Sequence, residues 1–205
     1  MKQEDTLPSD SYRSIVLPSQ GLLKDKGSRF ISFAFPVCSA DQAMEKVESL
    51  RKKYYDATHH CFAYRTGGKA GDIVRVSDDG EPSYSAGKPI MAEIHSRDLS
   101  DVMVVVVRYF GVNKLGIPGL VKAYRNAAAS ALDAADIAVK TQSHLYDVTF
   151  DYSSLNDAMK TVKSLGLTVL GLETGLQCNL SVFVRLNYED QFKKEFNYAT
   201  ICLKA

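Results

Sequence analysis

Six consecutive apolar residues, Val102 to Val107 (VMVVVV), sit between Asp101 and Arg108. Five of the six are β-branched, and no alternation leaves one side for water, so the run reads as a strand covered on both faces. It is far too short to cross a bilayer. A chain built around such a strand needs a packed layer on each side of a sheet, and helices are the usual cover. Arg29 to Val37, His59 to Arg65 and Ile73 to Ser77 read as further strands. Ser39 with Gln42 forms a capping box for a helix carrying Ala43, Met44, Val47, Leu50 and Tyr54. Ala86 to Ile94 reads as a glycine-started helix. A last helix spans Pro118 to Ala135, with Leu120, Tyr124, Ala127, Ala128, Ala131 and Leu132 inward and proline in its first turn.

The texture changes near residues 137–143. Beyond them, His144 to Tyr152 alternates as a half-buried strand. Ser154 and Asp157 resemble a capping box before Leu155, Ala158, Met159, Val162 and Leu165, and Gly166 stops that helix. Thr168 to Leu172 and Leu176 to Leu186 follow as strands. Asn187 is placed to cap a helix bearing Tyr188, Phe192 and Phe196, and Ala199 to Leu203 closes the chain. The order is β-α-β-β-α-β, for which a ferredoxin-like split βαβ unit is the economical fold. The chain is expected to be α+β, with a tail at 1–18, one domain at 19–138 and a second at 139–205.

The chain carries 25 Lys and Arg against 24 Asp and Glu, a net charge of +1, so no global field selects a polyanion. A nucleic-acid partner would have to use a local patch. The opening residues, MKQEDTLPSD, lack an apolar core, and Cys38, Cys61, Cys178 and Cys202 form no C-x-x-C pair. These features lead us to expect a cytoplasmic protein with reduced thiols and no membrane partner.

One local patch stands out. The 31 residues from Val102 to Leu132 contain no acid but hold Arg108, Lys114, Lys122 and Arg125. Lys122, Arg125 and Asn126 share one helix face, and Arg108 and Lys114 bracket a loop containing Tyr109 and Phe110. Cations interleaved with aromatics suit single-stranded RNA or another anionic surface; equally, the aromatics belong to a core and the cations to a solvated helix. Gly87-Lys88 at a helix start is either an anion cradle or a plain turn. No Walker or dinucleotide spacing accompanies it. Asp78, Asp79 and Glu81 place three carboxylates in four residues: a turn, a recognition loop, or hard oxygen ligands for a divalent metal. In a strand, His59 and Cys61 face away from His60, so the three form no single cluster, and His60 reads as a surface contact near Tyr64 and Arg65.

Several of these segments together resemble the IMPACT family, in particular its bacterial YigZ-like branch. They are Ser28-Arg29-Phe30, His59-His60-Cys61-Phe62-Ala63-Tyr64-Arg65, Ser77-Asp78-Asp79-Gly80-Glu81-Pro82-Ser83, Ala86-Gly87-Lys88-Pro89-Ile90, and Val107-Arg108-Tyr109-Phe110-Gly111 followed by Lys114-Leu115-Gly116. The resemblance spans about residues 20–135. It implies an N-terminal β-α domain of the ribosomal-protein, second-domain type, followed by a ferredoxin-like domain similar to one in elongation factor G. It also implies regulation of translation through protein partners, as in eukaryotic relatives, while some members carry peptidase labels. Tyr84-Ser85, Val112-Asn113 and Ile117-Pro118 replace smaller residues frequent in relatives, which stiffens two loops.

Two functions fit these features. The first is a translation-associated binding protein without a cofactor, contacting RNA, the ribosome or a translation-related protein. Its contacts would be Arg29, His60, Arg65, Lys88, Arg108, Lys114, Lys122 and Arg125 on one basic face, with Asp78, Asp79 and Glu81 positioning the cations. The second is a metal-assisted, peptidase-like hydrolase using the Asp78/Asp79/Glu81 loop. No catalytic residue, metal ligand or oligomeric state is assigned from sequence.

Overall fold

The computed structural model describes residues 8–68 and 72–204; the first seven residues of the expected tail lie outside them. The chain divides into two compact units, Tyr12–Lys140 and a second in which the segment ending at Ser11 joins Thr141–Ala205. The division thus falls at Ser11 and Lys140 rather than at the expected 18 and 138. Part of the expected tail is a strand, β1 (Ser11–Ile15), paired with β7 (Ile137–Thr141). Burial explains it: Ile15 is fully buried and joins the core of the first unit.

In the Tyr12–Lys140 unit, β2 (Ser19–Asp25), β3 (Ser28–Pro36), β4 (His59–Thr66), β5 (Ile73–Ser77) and β6 (Val102–Tyr109) form one sheet in the order β2-β3-β6-β4-β5. Every neighbouring pair is antiparallel. The valine run lies at the centre. Val102, Val104 and Val106 pack toward α2 (Gly87–Ser96) and α3 (Gly116–Asp133), whereas Met103, Val105 and Val107 pack toward α1 (Ala40–Lys53). The two-sided cover expected of the run is present. At the start of α1, Ser39 Oγ accepts from Gln42 N at 3.2 Å, while the Gln42 side chain returns to Cys38 N at 2.9 Å. The hairpin from β2 to β3 turns on Lys26 and Gly27, both at positive φ, a conformation glycine adopts without steric cost.

The second unit contains β8 (Ser143–Asp151), α4 (Leu155–Ser164), β9 (Thr168–Glu173), β10 (Gln177–Arg185), α5 (Glu189–Glu195) and β11 (Thr200–Lys204). Its sheet order is β11-β8-β10-β9, antiparallel throughout. Tyr146, Val148, Phe150, Leu180, Val182 and Val184 form one buried face with Ala158, Val162, Phe192 and Phe196. Two expected caps are absent. A 3-10 turn leads into each helix, the Ser154 side chain caps nothing, and Asp157 instead meets Lys160 at 2.8 Å. Tyr188 occupies the N-cap of α5, and the Asn187 side chain accepts from Ser9 Oγ at 2.6 Å.

Asp10 ties the incoming segment to this unit, accepting from Arg185 Nε at 3.0 Å and Nη2 at 2.8 Å. The Arg185 guanidinium holds the Asp10 carboxyl below its usual range. A depressed carboxylate contributes stability above the unfolded value of about 3.9 and loses it as pH falls through the folded value. The Asp10→Asn variant should therefore lose part of the acid-side slope of stability, measured by urea unfolding between about pH 6 and pH 2. An unchanged slope would show that the pair contributes nothing.

Candidate functional site

The site is built where β4, β6 and the loop from β5 to α2 meet α3. Arg108 follows Val102, Val104 and Val106 on the α2/α3 side of β6, so alternation points its guanidinium into the protein. It is 2% exposed. Its charge is matched by Glu81, also buried, through a short Nη1–Oε1 contact. The same Glu81 oxygen accepts from Tyr124 Oη of α3 at 2.7 Å and lies 3.8 Å from His59 Nε2. Phe30 and Phe110 rings lie 5.4 and 4.7 Å from the guanidinium carbon. Arg108 Nε is buried without a hydrogen-bond partner. Desolvating both ions is expensive, so the pair depends on close geometry and on the added tyrosine bond.

The acidic loop is organised from within. Asp79 and Gly80 adopt positive φ, and Glu81 N donates to Asp78 O at 2.9 Å. The Asp78 carboxylate accepts from Tyr84 N at 2.8 Å, Ala86 N at 3.0 Å and Gly87 N at 2.8 Å. It therefore occupies the N-terminus of α2, and the suggested anion cradle at Gly87-Lys88 is filled by the chain's own carboxylate. Gly87 permits this packing, since a Cβ there would stand 2.8 Å from Ser77 N. Asp79 accepts from Arg51 Nη2 and from His60 N, each at 2.7 Å. The three carboxylates thus serve three separate structures, and no group of three His, Cys, Asp or Glu side chains converges as a metal site among the described residues. The Asp78, Asp79 and Glu81 side chains named for the hydrolase are each engaged within the fold.

The expected continuous basic face does not form. Arg65 is bonded to Asp72 at 2.9 and 2.7 Å and lies 3.6 Å from Asp98. It pairs across from Val102, while Arg108 lies six residues along β6, about 20 Å away at strand spacing. Arg29 lies 4.4 Å over the Tyr109 ring on the opposite, α1, side of the sheet. Arg125 Nε donates to Glu93 at 2.6 Å, and Lys88 lies 3.7 Å over the Tyr84 ring. His60 is no surface contact: it is buried on the α1 side, where burial lowers its pKa. Lys114 and Lys122 are exposed and have no carboxylate partner among the described residues.

Lys114 also borders a cleft of about 300 Å³ lined by Arg108, Glu81, Phe110, Leu115, Ile117 and Leu120. Alternation marks Arg108 as inward, which is the signal for a buried counterion; Glu81 as its partner and the Tyr124 bond have no comparable signal. Cys61 Sγ lies 3.0 Å from Asp78 O and 3.3 Å from Tyr124 Oη, two acceptors for its single S–H, and burial pushes the thiol up, away from the thiolate. Cys38 and Cys202 are exposed, whereas Cys61 and Cys178 are buried. Ellman's reagent should titrate two of the four thiols in the native protein and all four in denaturant. Rapid native labelling of Cys61 would contradict its sequestration.

Residues 26–132, from β3 through most of α3, match the Impact N-terminal domain. The chain belongs to the IMPACT family. An IMPACT family member from Haemophilus influenzae is 30% identical over 164 residues, covering 79% of this chain and 78% of its own. YigZ of Escherichia coli is 37% identical over 63% of this chain, and YvyE of Bacillus subtilis 35% over 62%. The chain spans 64% and 58% of these two relatives. A crystal structure described only as a hypothetical protein superposes with a TM-score of 0.72 and 27% identity, covering 96% of this chain and 98% of that one. The buried Arg108–Glu81–Tyr124 cluster and the adjoining cleft therefore belong to the IMPACT domain itself.

Proposed function

We propose that this IMPACT family member is a translation-associated regulatory protein that binds its partner through the Lys114 and Lys122 side of the N-terminal domain. Family membership, including 31% identity to the IMPACT homolog of Saccharomyces cerevisiae over 56% of this chain, supports the translational role. The observation that carries the binding side is that Lys114 and Lys122 alone, of the seven cations singled out, have neither a carboxylate nor an aromatic partner among the described residues. Unmatched cations are free to meet phosphate on RNA or the ribosome, or the acidic face of a translation factor.

The 4-stranded antiparallel sheet with two helices on one face supports a ferredoxin-like second domain, and the 5-stranded antiparallel sheet with helices on both faces supports the ribosomal-protein type for the first. No described helix is long and apolar enough to cross a membrane. With four free cysteines, the cytoplasm is the compartment we propose. The test is co-sedimentation with purified ribosomes, and with translation factors, at rising salt. Binding should weaken with salt and fall further in the Lys114→Glu/Lys122→Glu variant. Salt-independent binding, unchanged in the variant, would overturn the assignment of this side.

A further inference from the structure

We infer that the cleft between Phe110 and the first turn of α3 binds a small organic monocarboxylate with an apolar body. This goes beyond the translational reading and does not depend on the partner. The lining is chiefly apolar, supplied by Phe110, Leu115, Ile117 and Leu120, with charge confined to Arg108, Glu81 and Lys114. An apolar cleft with a few convergent polar groups is the usual form of a small-ligand site, and about 300 Å³ is at the small end of that range.

Three features make the charged end a site for an anion. Glu81 already matches Arg108, so Lys114 supplies the one unmatched charge of the lining. Helix α3 begins here with no side-chain cap and no acid in its first turn, so the N–H groups of Gly116 and Ile117 have no intrahelical partner, Pro118 has none to offer, and the positive dipole end is not offset by a carboxylate. Arg108, 2% exposed, lines the cleft and keeps an Nε donor without a partner. The half-exposed Phe110 ring lies over that guanidinium at the edge of the cleft.

The same inventory selects the ligand's charge. One unmatched lysine balances a monoanion, whereas the second charge of a phosphate monoester would face the Glu81 carboxylate. The apolar walls have use only for a ligand with a hydrocarbon or aromatic body.

The experiment is an amide NMR titration of the full chain with hexanoate, with its neutral analogue hexanamide and with inorganic phosphate. Hexanoate should give saturable shifts at Gly111, Leu115, Gly116 and Ile117 at concentrations up to about 10 mM. Hexanamide should bind about tenfold more weakly or worse. Lys114→Glu, at an exposed position, should abolish hexanoate binding while leaving the spectrum of the core intact. Phosphate binding as strongly as hexanoate, or the absence of saturable hexanoate shifts in the folded wild type, would overturn the inference. Loss of ribosome binding in the Lys122→Glu variant, by contrast, reports only on the translational partner.

Discussion

Glu81→Ala is expected to destabilise the N-terminal domain by about 3–5 kcal/mol, because it leaves the Arg108 guanidinium buried without a counterion. Arg108 is 2% and Glu81 9% exposed, so water entering from the cleft is a poor substitute for the missing carboxylate. Tyr124 Oη would lose its 2.7 Å acceptor in the same step. A companion variant isolates the cause. Glu81→Ala combined with Arg108→Met removes both ions and should recover a large part of the loss, since replacing a buried pair by apolar groups is often neutral or favourable. Urea unfolding followed by tyrosine fluorescence measures both. A loss below about 1 kcal/mol for the single variant would mean that Arg108 finds another partner.

Asp78→Ala should cost about 3 kcal/mol, because it removes the acceptor for three backbone N–H groups at once. Those donors, on Tyr84, Ala86 and Gly87, hold the acidic loop against the start of α2. Asp78→Asn keeps one carbonyl oxygen and should recover about half of that loss. Amide hydrogen exchange adds a local readout: residues 84–87 should lose protection in Asp78→Ala while β6 keeps it. Unchanged protection at Ala86 and Gly87 would show that another group caps α2.

The parts of the fold legible in the sequence are those where burial imposes a period. The valine run, the alternation in β3, β4 and β8, and the stripes of α1 and α3 all follow from one-sided or two-sided burial. Strands β1, β2 and β7 were illegible because their mixed, partly exposed residues carry no such period. The Lys26-Gly27 turn was the available signal for β2. The partners of the cations were illegible for a different reason. Arg108 and Arg125 sit in an acid-free stretch, yet their carboxylates come from 27 and 32 residues away in sequence. Local excess along a chain says little about charge on a surface when the fold returns distant acids to it. The acidic loop was legible as a turn, but the division of Asp78, Asp79 and Glu81 among α2, α1 and β6 depends on tertiary packing alone.

Engagement of a translational component by the N-terminal domain on the side bearing Lys122 is what we propose. Photocrosslinking tests it most directly, with a photoreactive residue replacing Lys122 in one protein and Lys46, on helix α1 across the sheet, in another. Ribosomal or translation-factor adducts should form from position 122 and not from position 46. Equal adducts from both positions, or adducts from position 46 alone, would contradict it.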